Sequence, residues 1–184
     1  MALSPPENRL WWNEPVERVE IGWIVIAFLW GLFMFFFMIA WHFIGEQNLS
    51  TETYRIQPDR FAEKVEEFAE EYQLFDADGE PVEMNGMPVI SPPAGGDVYL
   101  LGRLWEWWPA LELKKGQSYR FHISSVDWQH GFSLQPVNIN LSVHPGLEHV
   151  LTLTPTEAGD YGIVCNEYCG IGHHTMSGFI RVVE

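Results

Sequence analysis

Cysteine is scarce in this sequence, with only two residues, Cys165 and Cys169, among 184. A small secreted domain held together by several disulfides is therefore excluded. A separation of four residues is also unusual for a structural bridge, because a disulfide requires a specific geometry and a Cα–Cα distance below about 7 Å. The pair points instead to a metal site.

Basic residues are also few, since ten Lys and Arg stand against 25 Asp and Glu, for a formal net charge of −15. Such a charge repels the phosphate backbone of DNA and RNA, so nucleic-acid binding is excluded. A basic protein partner is favoured instead. The length fits one modest domain plus an accessory segment.

One long stretch lacks charged residues and proline altogether. Ile21–Ile44 reads IGWIVIAFLWGLFMFFFMIAWHFI, which is long enough to cross a hydrocarbon core of about 30 Å as a helix. A cleaved signal peptide has an apolar region of roughly 7–15 residues that ends in small residues, whereas this run ends in bulky ones. We therefore predict one transmembrane helix. Basic residues flank it on both sides, so they do not fix its orientation.

Residues 45–97 are predicted to be a linker that contains one acidic amphipathic helix over 59–73. Asp59 is a candidate N-cap. Apolar residues recur after it at helical spacing, at Phe61, Val65, Phe68 and Tyr72. The carboxylates between them form either a docking surface for a basic protein or a solvated helix face. Turn-forming residues then dominate 76–97, which indicates loops.

From Val98 onwards the pattern changes to short runs rich in β-branched and aromatic residues, separated by Gly and Pro. These runs are Val98–Leu101, Ser118–Ser124, Phe132–Leu134, Asn138–Val143, His149–Leu153, Gly159–Val164 and Gly178–Val183. They predict a mainly β domain over 98–184, folded as a β-sandwich or small barrel.

The densest chemistry lies near the C-terminus, where the segment CNEYCGIGHHTM over 165–176 holds two thiols, two adjacent imidazoles, of which one fits the ligand register, and a thioether. This soft ligand set selects copper over magnesium, calcium or manganese, and zinc would not need the methionine. Gly170 and Gly172 allow the loop to wrap around a metal. A second imidazole is available from His130, at the end of a predicted strand.

These residues carry a family resemblance. The pattern C-x-E-x-C-G-x-G-H-x-x-M, with an upstream S-x-D-x-x-H-x-F, resembles the copper motif of cytochrome c oxidase subunit II. The resemblance covers roughly 102–184 well, the apolar run by architecture only, and 48–96 hardly at all. A single span before the domain is similar to the subunit II of B-type haem–copper oxidases.

The resemblance implies a cupredoxin-like β-sandwich or Greek-key barrel behind one N-terminal transmembrane helix. It also implies a dinuclear copper centre of the CuA type. Carried over by position, the ligands are His130, Cys165, Glu167, Cys169, His173 and Met176. The cysteines would bridge both metals, the histidines would be terminal ligands, and the Glu167 carbonyl and Met176 would be weak axial ligands. In the family the Glu167 side chain reaches a shared Mg²⁺ or Mn²⁺.

The implied role is electron transfer within an oxidoreductase complex. A soluble donor such as cytochrome c would reduce the copper, and the electron would pass to haem in a separate catalytic subunit I, where oxygen is reduced. The aromatic stretch 104–108 resembles the region near the donor in the family, which makes Trp105 and Trp107 candidates for receiving the electron; as a strand it would place both on one face. Trp128 stands where the family usually has an aliphatic residue, and we expect it to alter packing near His130.

The family also implies a place in the cell. The chain would cross the cytoplasmic membrane once, in contact with lipid, with residues 1–20 in the cytoplasm and the C-terminal domain in the periplasm or outside. Copper assembly and soluble cytochromes lie on that side.

Two alternatives share the copper site. Some haem–copper nitric oxide reductases carry a similar copper subunit, and this sequence does not decide between oxygen and nitric oxide. A membrane-anchored mononuclear copper protein or chaperone is of a different class, but it would need only one cysteine. Of the adjacent histidines, His173 fits the ligand register, whereas His174 does not. His122, His144 and His149 are expected to have structural roles.

Overall fold

The computed structural model describes residues 15–45, 52–137 and 139–184 of the chain. It forms two compact units, Met1–Leu49 and Ser50–Glu184. Most of the predicted N-terminal segment, residues 1–14, lies outside the described residues.

The first unit is built on one helix, α1 (Arg18–Ile44). It begins at a capping box, in which the backbone N–H of Glu17 donates to the Glu20 carboxylate at 3.0 Å, and it ends at Gly45. At 1.5 Å per residue the helix is about 40 Å long, enough to cross a bilayer core. None of its residues is buried by the described part of the chain, and the predicted long apolar helix is confirmed.

The second unit is mainly β. Its elements are β1 (Glu52–Arg55), α2 (Pro58–Tyr72), β2 (Glu83–Met84), β3 (Met87–Ile90), β4 (Asp97–Arg103), β5 (Glu106–Trp108), β6 (Ala110–Lys114), β7 (Tyr119–Ser125), β8 (His130–Gln135), β9 (Ile139–Val143), β10 (Leu147–Leu153), β11 (Gly159–Cys165), a 3₁₀ turn (His173–Thr175) and β12 (Ser177–Val183). The strand order is β1-β10-β7-β4-β5-β12-β11-β8-β9, with β6 pairing with β12 and β3, and β3 pairing with β2.

The seven predicted strands correspond to β4 and β7 to β12, and each is confirmed to within a few residues. The predicted mainly β, cupredoxin-like class with one N-terminal apolar helix is confirmed as well. Four further strands, β1, β2, β3 and β6, were not predicted, because runs of two to five residues carry little periodic signal. Strand β5 lies within the aromatic stretch 104–108, for which a strand was considered.

The curled sheet encloses one large apolar core. Fully buried side chains from several strands meet there, including Leu100, Phe121, Ile123, Phe132 and Ile163. The alternation of buried and exposed residues along strands such as β12 follows from the two-residue period of a strand. This core supports the loops that carry the predicted ligands.

Residues 45–97 differ from the predicted linker. The acidic helix is present as α2, but its apolar side packs on the sheet, where Phe61 and Val65 are fully buried in a cluster with Leu101. Strand β1 pairs with β10, and β3 pairs with β6. Residues 52–97 therefore belong to the same compact unit as 98–184, because an apolar helix face and unpaired strand edges both need a partner.

Three connections converge at one end of the sheet. They are the β4–β5 turn, the β7–β8 loop and the β11–β12 loop. The Asn166 N–H donates to the Gly131 carbonyl at 3.2 Å, and the Cys165 N–H donates to the Met176 carbonyl, also at 3.2 Å. The first contact is close: a Cβ at Gly131 would lie 2.7 Å from the backbone nitrogen of Glu167. A glycine is therefore needed beside His130.

Candidate metal centre

His130 stands at the start of β8 and is completely buried. Its Nε2 lies 2.8 Å from Oδ1 of Asp127. Its Nδ1 is buried and has no hydrogen-bond partner among the described residues. An unsatisfied buried polar atom costs about 1–3 kcal/mol, so this nitrogen is suited to a partner such as a metal ion.

The two cysteines bring their sulfurs to the same place. Cys165 ends β11 and Cys169 lies in the following loop; both are buried free thiols, and their Sγ atoms are 3.7 Å apart. The ligand atoms of His130, Cys165 and Cys169 all lie within 4.8 Å of one another. Two thiols and an imidazole, all three from buried residues, thus converge at one place.

The other three predicted ligands surround the same sulfurs. The Cys165 thiol donates to the Glu167 carbonyl at 3.1 Å, whereas Nδ1 of His173 and Sδ of Met176 each lie 3.7 Å from Sγ of Cys169. Met176 is 2% exposed. The structure therefore brings all six predicted ligands together, and it places His173, rather than the exposed His174, beside the thiols.

The side chain of Glu167 points away from the sulfurs. Its carboxylate accepts hydrogen bonds from Oγ of Ser142 at 3.0 Å and from Nε2 of Gln129. These contacts hold the ligand loop against β9 and the β7–β8 loop. The carboxylate is only partly buried, and it has room for further ligands on its open side.

Burial governs the electrostatics of the thiols. Burial, together with the neighbouring Cys165 and the charge of Asp127, raises the pKa of the Cys169 thiol to about 11. The thiol is therefore protonated at neutral pH before metal binds. Because a metal binds the thiolate, metal uptake releases protons and becomes more favourable as the pH rises.

Asp127 is held in its ionised form. Burial raises the pKa of its carboxyl group, but hydrogen bonds from His130 and from the backbone N–H groups of Trp128 and Leu104 outweigh that effect and lower the pKa overall. A fixed negative charge therefore faces Nε2 of His130. It favours the imidazole with its proton on Nε2.

The donor set fits copper. Thiolate, thioether and imidazole are soft ligands, and the sulfurs of Cys165, Cys169 and Met176 lie within one group of contacts. Among the described residues, the cluster of candidate ligand atoms from His130 and the two cysteines contains no carboxylate. The orphaned Nδ1 of His130 completes a site of the kind that copper prefers.

The two predicted aromatic residues differ in position. Trp107 is fully buried, and its ring meets that of His130 edge-on, with centroids 6.0 Å apart. Trp105 lies in the β4–β5 turn, is 41% exposed, and packs against Gly172 in the ligand loop. The expectation that both share one face of a strand is wrong, because β5 begins only at Glu106.

Trp128 does not have the expected position against His130. Trp128 is 62% exposed, and the ring that packs on His130 is that of Trp107, so the expected effect of Trp128 on packing around this ligand is not found. Asp127 is not among the predicted site residues. Its position three residues before His130 was the available signal, because a metal-bound histidine usually donates its second N–H to a neighbouring acceptor.

His122, His144 and His149 have hydrogen-bonding roles. Nδ1 of His122 is 2.6 Å from the buried Glu148 carboxylate. His149 contacts Thr53, and His144 contacts Ser142. These contacts agree with the structural roles expected for them.

Comparison with known proteins gives a consistent picture. The chain is 32% identical over 173 residues to a Thermus thermophilus protein named cytochrome c oxidase subunit 2, which covers 94% of this chain and 96% of that protein. A second Thermus thermophilus protein of the same name is 40% identical over 88 residues, or 47% of this chain and 65% of that one. No protein-family model matches.

Among solved structures, a chain from a haem–copper terminal oxidase dimer has the same fold. Its TM-score is 0.57 at 22% identity, and the alignment covers 90% of this chain and 100% of the other. Together with the soft ligand cluster, the extent of the first match decides the family. The chain belongs to the cytochrome c oxidase subunit 2 family.

Proposed function

We propose that this membrane-anchored, copper-binding chain receives electrons from a soluble donor and passes them to haem in a separate catalytic subunit. The observation that carries the proposal is the pair of buried thiols 3.7 Å apart, with Nδ1 of His130 left unpartnered beside them. Reduction of oxygen then takes place in the catalytic subunit.

Within this proposal, Cys165, Cys169, His130 and His173 would hold two copper ions, with both sulfurs shared between the ions. The Glu167 carbonyl and Met176 would complete the ligand set. Bound copper supplies one-electron chemistry shared over both ions. The chain contributes rigidity, because the two cysteines and His130 are buried, and strand pairing fixes Cys165 and His130 before any metal binds. Rigid ligands keep the reorganisation on electron transfer small.

Trp105 is the better of the two aromatic candidates for receiving the electron. It is 41% exposed and touches the ligand loop, whereas Trp107 is fully buried. The formal charge of −15 suits a basic donor such as cytochrome c. Attraction of this kind raises the association rate and makes it sensitive to salt.

The partly exposed carboxylate of Glu167 is the proposed contact with the catalytic subunit, through a shared Mg²⁺ or Mn²⁺. Hard carboxylate oxygen suits such an ion. Helix α1 would cross the cytoplasmic membrane, with the copper domain on its outer side, where a soluble cytochrome can reach it. Contact with lipid along α1 follows from its unburied apolar surface.

A cysteine replacement tests the proposal. In Cys165→Ser, the optical and paramagnetic signals of the copper-loaded chain should be lost or converted, because a bridging sulfur has gone. His174→Gln is the matched control, since His174 is exposed beside the ligand His173. Signals that survive Cys165→Ser unchanged would mean a mononuclear site on Cys169 and would refute the proposal.

A further inference from the structure

Asp127 lies in the β7–β8 loop, and both of its carboxylate oxygens have hydrogen-bond partners. Its Oδ1 accepts from the Trp128 N–H at 2.6 Å and lies 2.8 Å from Nε2 of His130. Its Oδ2 accepts from the backbone N–H of Leu104 at 2.8 Å. The side chain is 25% exposed. One carboxylate thus joins the loop that carries a predicted ligand to the β4–β5 turn.

The contact with His130 decides which ring nitrogen can bind metal. A carboxylate oxygen facing Nε2 accepts a hydrogen bond from an N–H at that position, so the neutral ring carries its hydrogen on Nε2. The lone pair is then on Nδ1, the buried nitrogen that lacks a partner in the described parts of the chain. A hydrogen on Nδ1 would block that nitrogen as a ligand, and without Asp127 the hydrogen bond that holds the hydrogen on Nε2 is lost.

The contact with Leu104 acts on the other side of the site. Leu104 precedes Trp105, whose indole packs against Gly172 in the ligand loop. A hydrogen bond to a charged group is stronger than one between neutral groups, so this contact holds the turn firmly. The same carboxylate therefore fixes a ligand ring and the exposed indole that covers the ligand loop.

We infer that Asp127 is a positioning residue for the metal centre, which sets the tautomer of His130 and ties the Trp105 turn to it. The inference rests on the proposed copper site. A purely structural role is the competing explanation, because Asp127 also caps its own loop through Trp128 and Ser125. That role predicts a loss of stability, but no change of tautomer and no selective loss of copper affinity.

The first measurement needs no variant. The full-length chain is labelled with ¹⁵N-histidine and studied by NMR in detergent, free of copper, at about pH 8, where histidine is ordinarily neutral. His130 should show its hydrogen on Nε2 and a bare Nδ1. A hydrogen on Nδ1 would overturn the inference, whatever the behaviour of the variants.

The second measurement compares Asp127→Ala and Asp127→Asn with Asp160→Asn. The control removes an exposed carboxylate that pairs with Arg181. Copper affinity is measured by competition with a chelator, and the indole N–H signal of Trp105 is assigned with Trp105→Phe. We expect both Asp127 variants to lose about 10- to 100-fold in copper affinity and to move the Trp105 signal, while the control changes neither.

The outcomes separate the two proposals. If the wild-type chain takes up no copper, the proposed function fails, and the tautomer of His130 in the copper-free chain still tests Asp127. If the wild type binds copper and Asp127→Ala matches its affinity with an unmoved Trp105 signal, the inference is wrong and the copper centre stands. Thermal unfolding of each copper-free variant shows whether the variant keeps its fold. If a variant does not fold, the tautomer of His130 in the wild-type chain still decides whether the inference holds.

Discussion

The indole of Trp105 lies directly against Gly172, so that a Cβ built on this glycine would stand 2.6 Å from Cε3 of the ring. Trp105 comes from the β4–β5 turn, and Gly172 from the loop that carries Cys169 and His173. An exposed aromatic residue thus forms the outer cover of the proposed metal loop, and only a residue without a side chain fits beneath it.

Gly172→Ala tests this contact. The added methyl group must displace either the indole or the ligand loop, and overpacking of this kind costs typically about 1–3 kcal/mol. We expect that loss in the free energy of unfolding, measured with chemical denaturant. Gly162→Ala is the control, because a Cβ there meets nothing within 4 Å, and an alanine in a strand gains up to about 1 kcal/mol over glycine. Equal losses in both variants would contradict the contact.

Trp105→Leu tests the route by which electrons reach the site. Reduction of the copper-loaded chain by a reduced cytochrome c, followed by stopped flow, should slow by about tenfold, which corresponds to ~1.4 kcal/mol in the barrier. Trp128→Leu removes another exposed indole, in the β7–β8 loop, and should leave the rate near the wild-type value. If reduction slows in Trp128→Leu and keeps its wild-type rate in Trp105→Leu, the donor does not deliver electrons through Trp105.

The packing of α2 predicts where a soluble domain can begin. A chain starting at residue 50 retains β1 and α2 and should fold, whereas one starting at Val98 exposes the apolar surface under Phe61, Val65 and Phe68. Each buried side chain of this size contributes about 1.5–3 kcal/mol, so the loss approaches the total stability of about 5–15 kcal/mol of a typical domain. Circular dichroism of both fragments checks this. A well-folded 98–184 fragment would show that α2 is dispensable.

Acid should weaken the fold through His149. Burial, with a smaller effect from His144, lowers the pKa of this ring below its ordinary value. The folded state therefore favours the neutral ring. Its contribution is present above about pH 6.5, the ordinary pKa of histidine, and is lost as the pH falls through the lower folded-state value.

In thermal unfolding of the copper-free chain between about pH 8 and 5, His149→Gln should consequently lose less stability than the wild type. His174→Gln, which removes an exposed histidine, should follow the wild type. An identical pH slope in the wild type and His149→Gln would show that His149 does not contribute.

Much of the fold and the ligand set could be predicted because each has a local signal. The period of two in strands such as β12 and the 3.6-residue period of α2 are visible in the sequence. Two cysteines, a histidine and a methionine within twelve residues also indicate a metal site directly, because their side chains are soft metal ligands. The structure adds that His130, distant in sequence, meets both thiols within 4.8 Å.

The short strands and the surroundings of the ligands could not be predicted, because they depend on tertiary contacts. Strands β1 and β3 exist because they pair with β10 and β6, which no short-range pattern reveals. The sequence alternation suggested that Trp105 and Trp107 share a face, but a turn before Glu106 separates an exposed indole from a buried one. Asp127 carries two contacts whose partners lie on different elements, so its importance appears only when the loops are brought together.

We propose that two copper ions share the sulfurs of Cys165 and Cys169. Electron paramagnetic resonance of the copper-loaded full-length chain, with copper quantified per chain, distinguishes this site from a mononuclear one. We expect two copper ions per chain and hyperfine splitting from two equivalent copper nuclei that share one unpaired electron. One ion per chain, with splitting from a single nucleus, would contradict it.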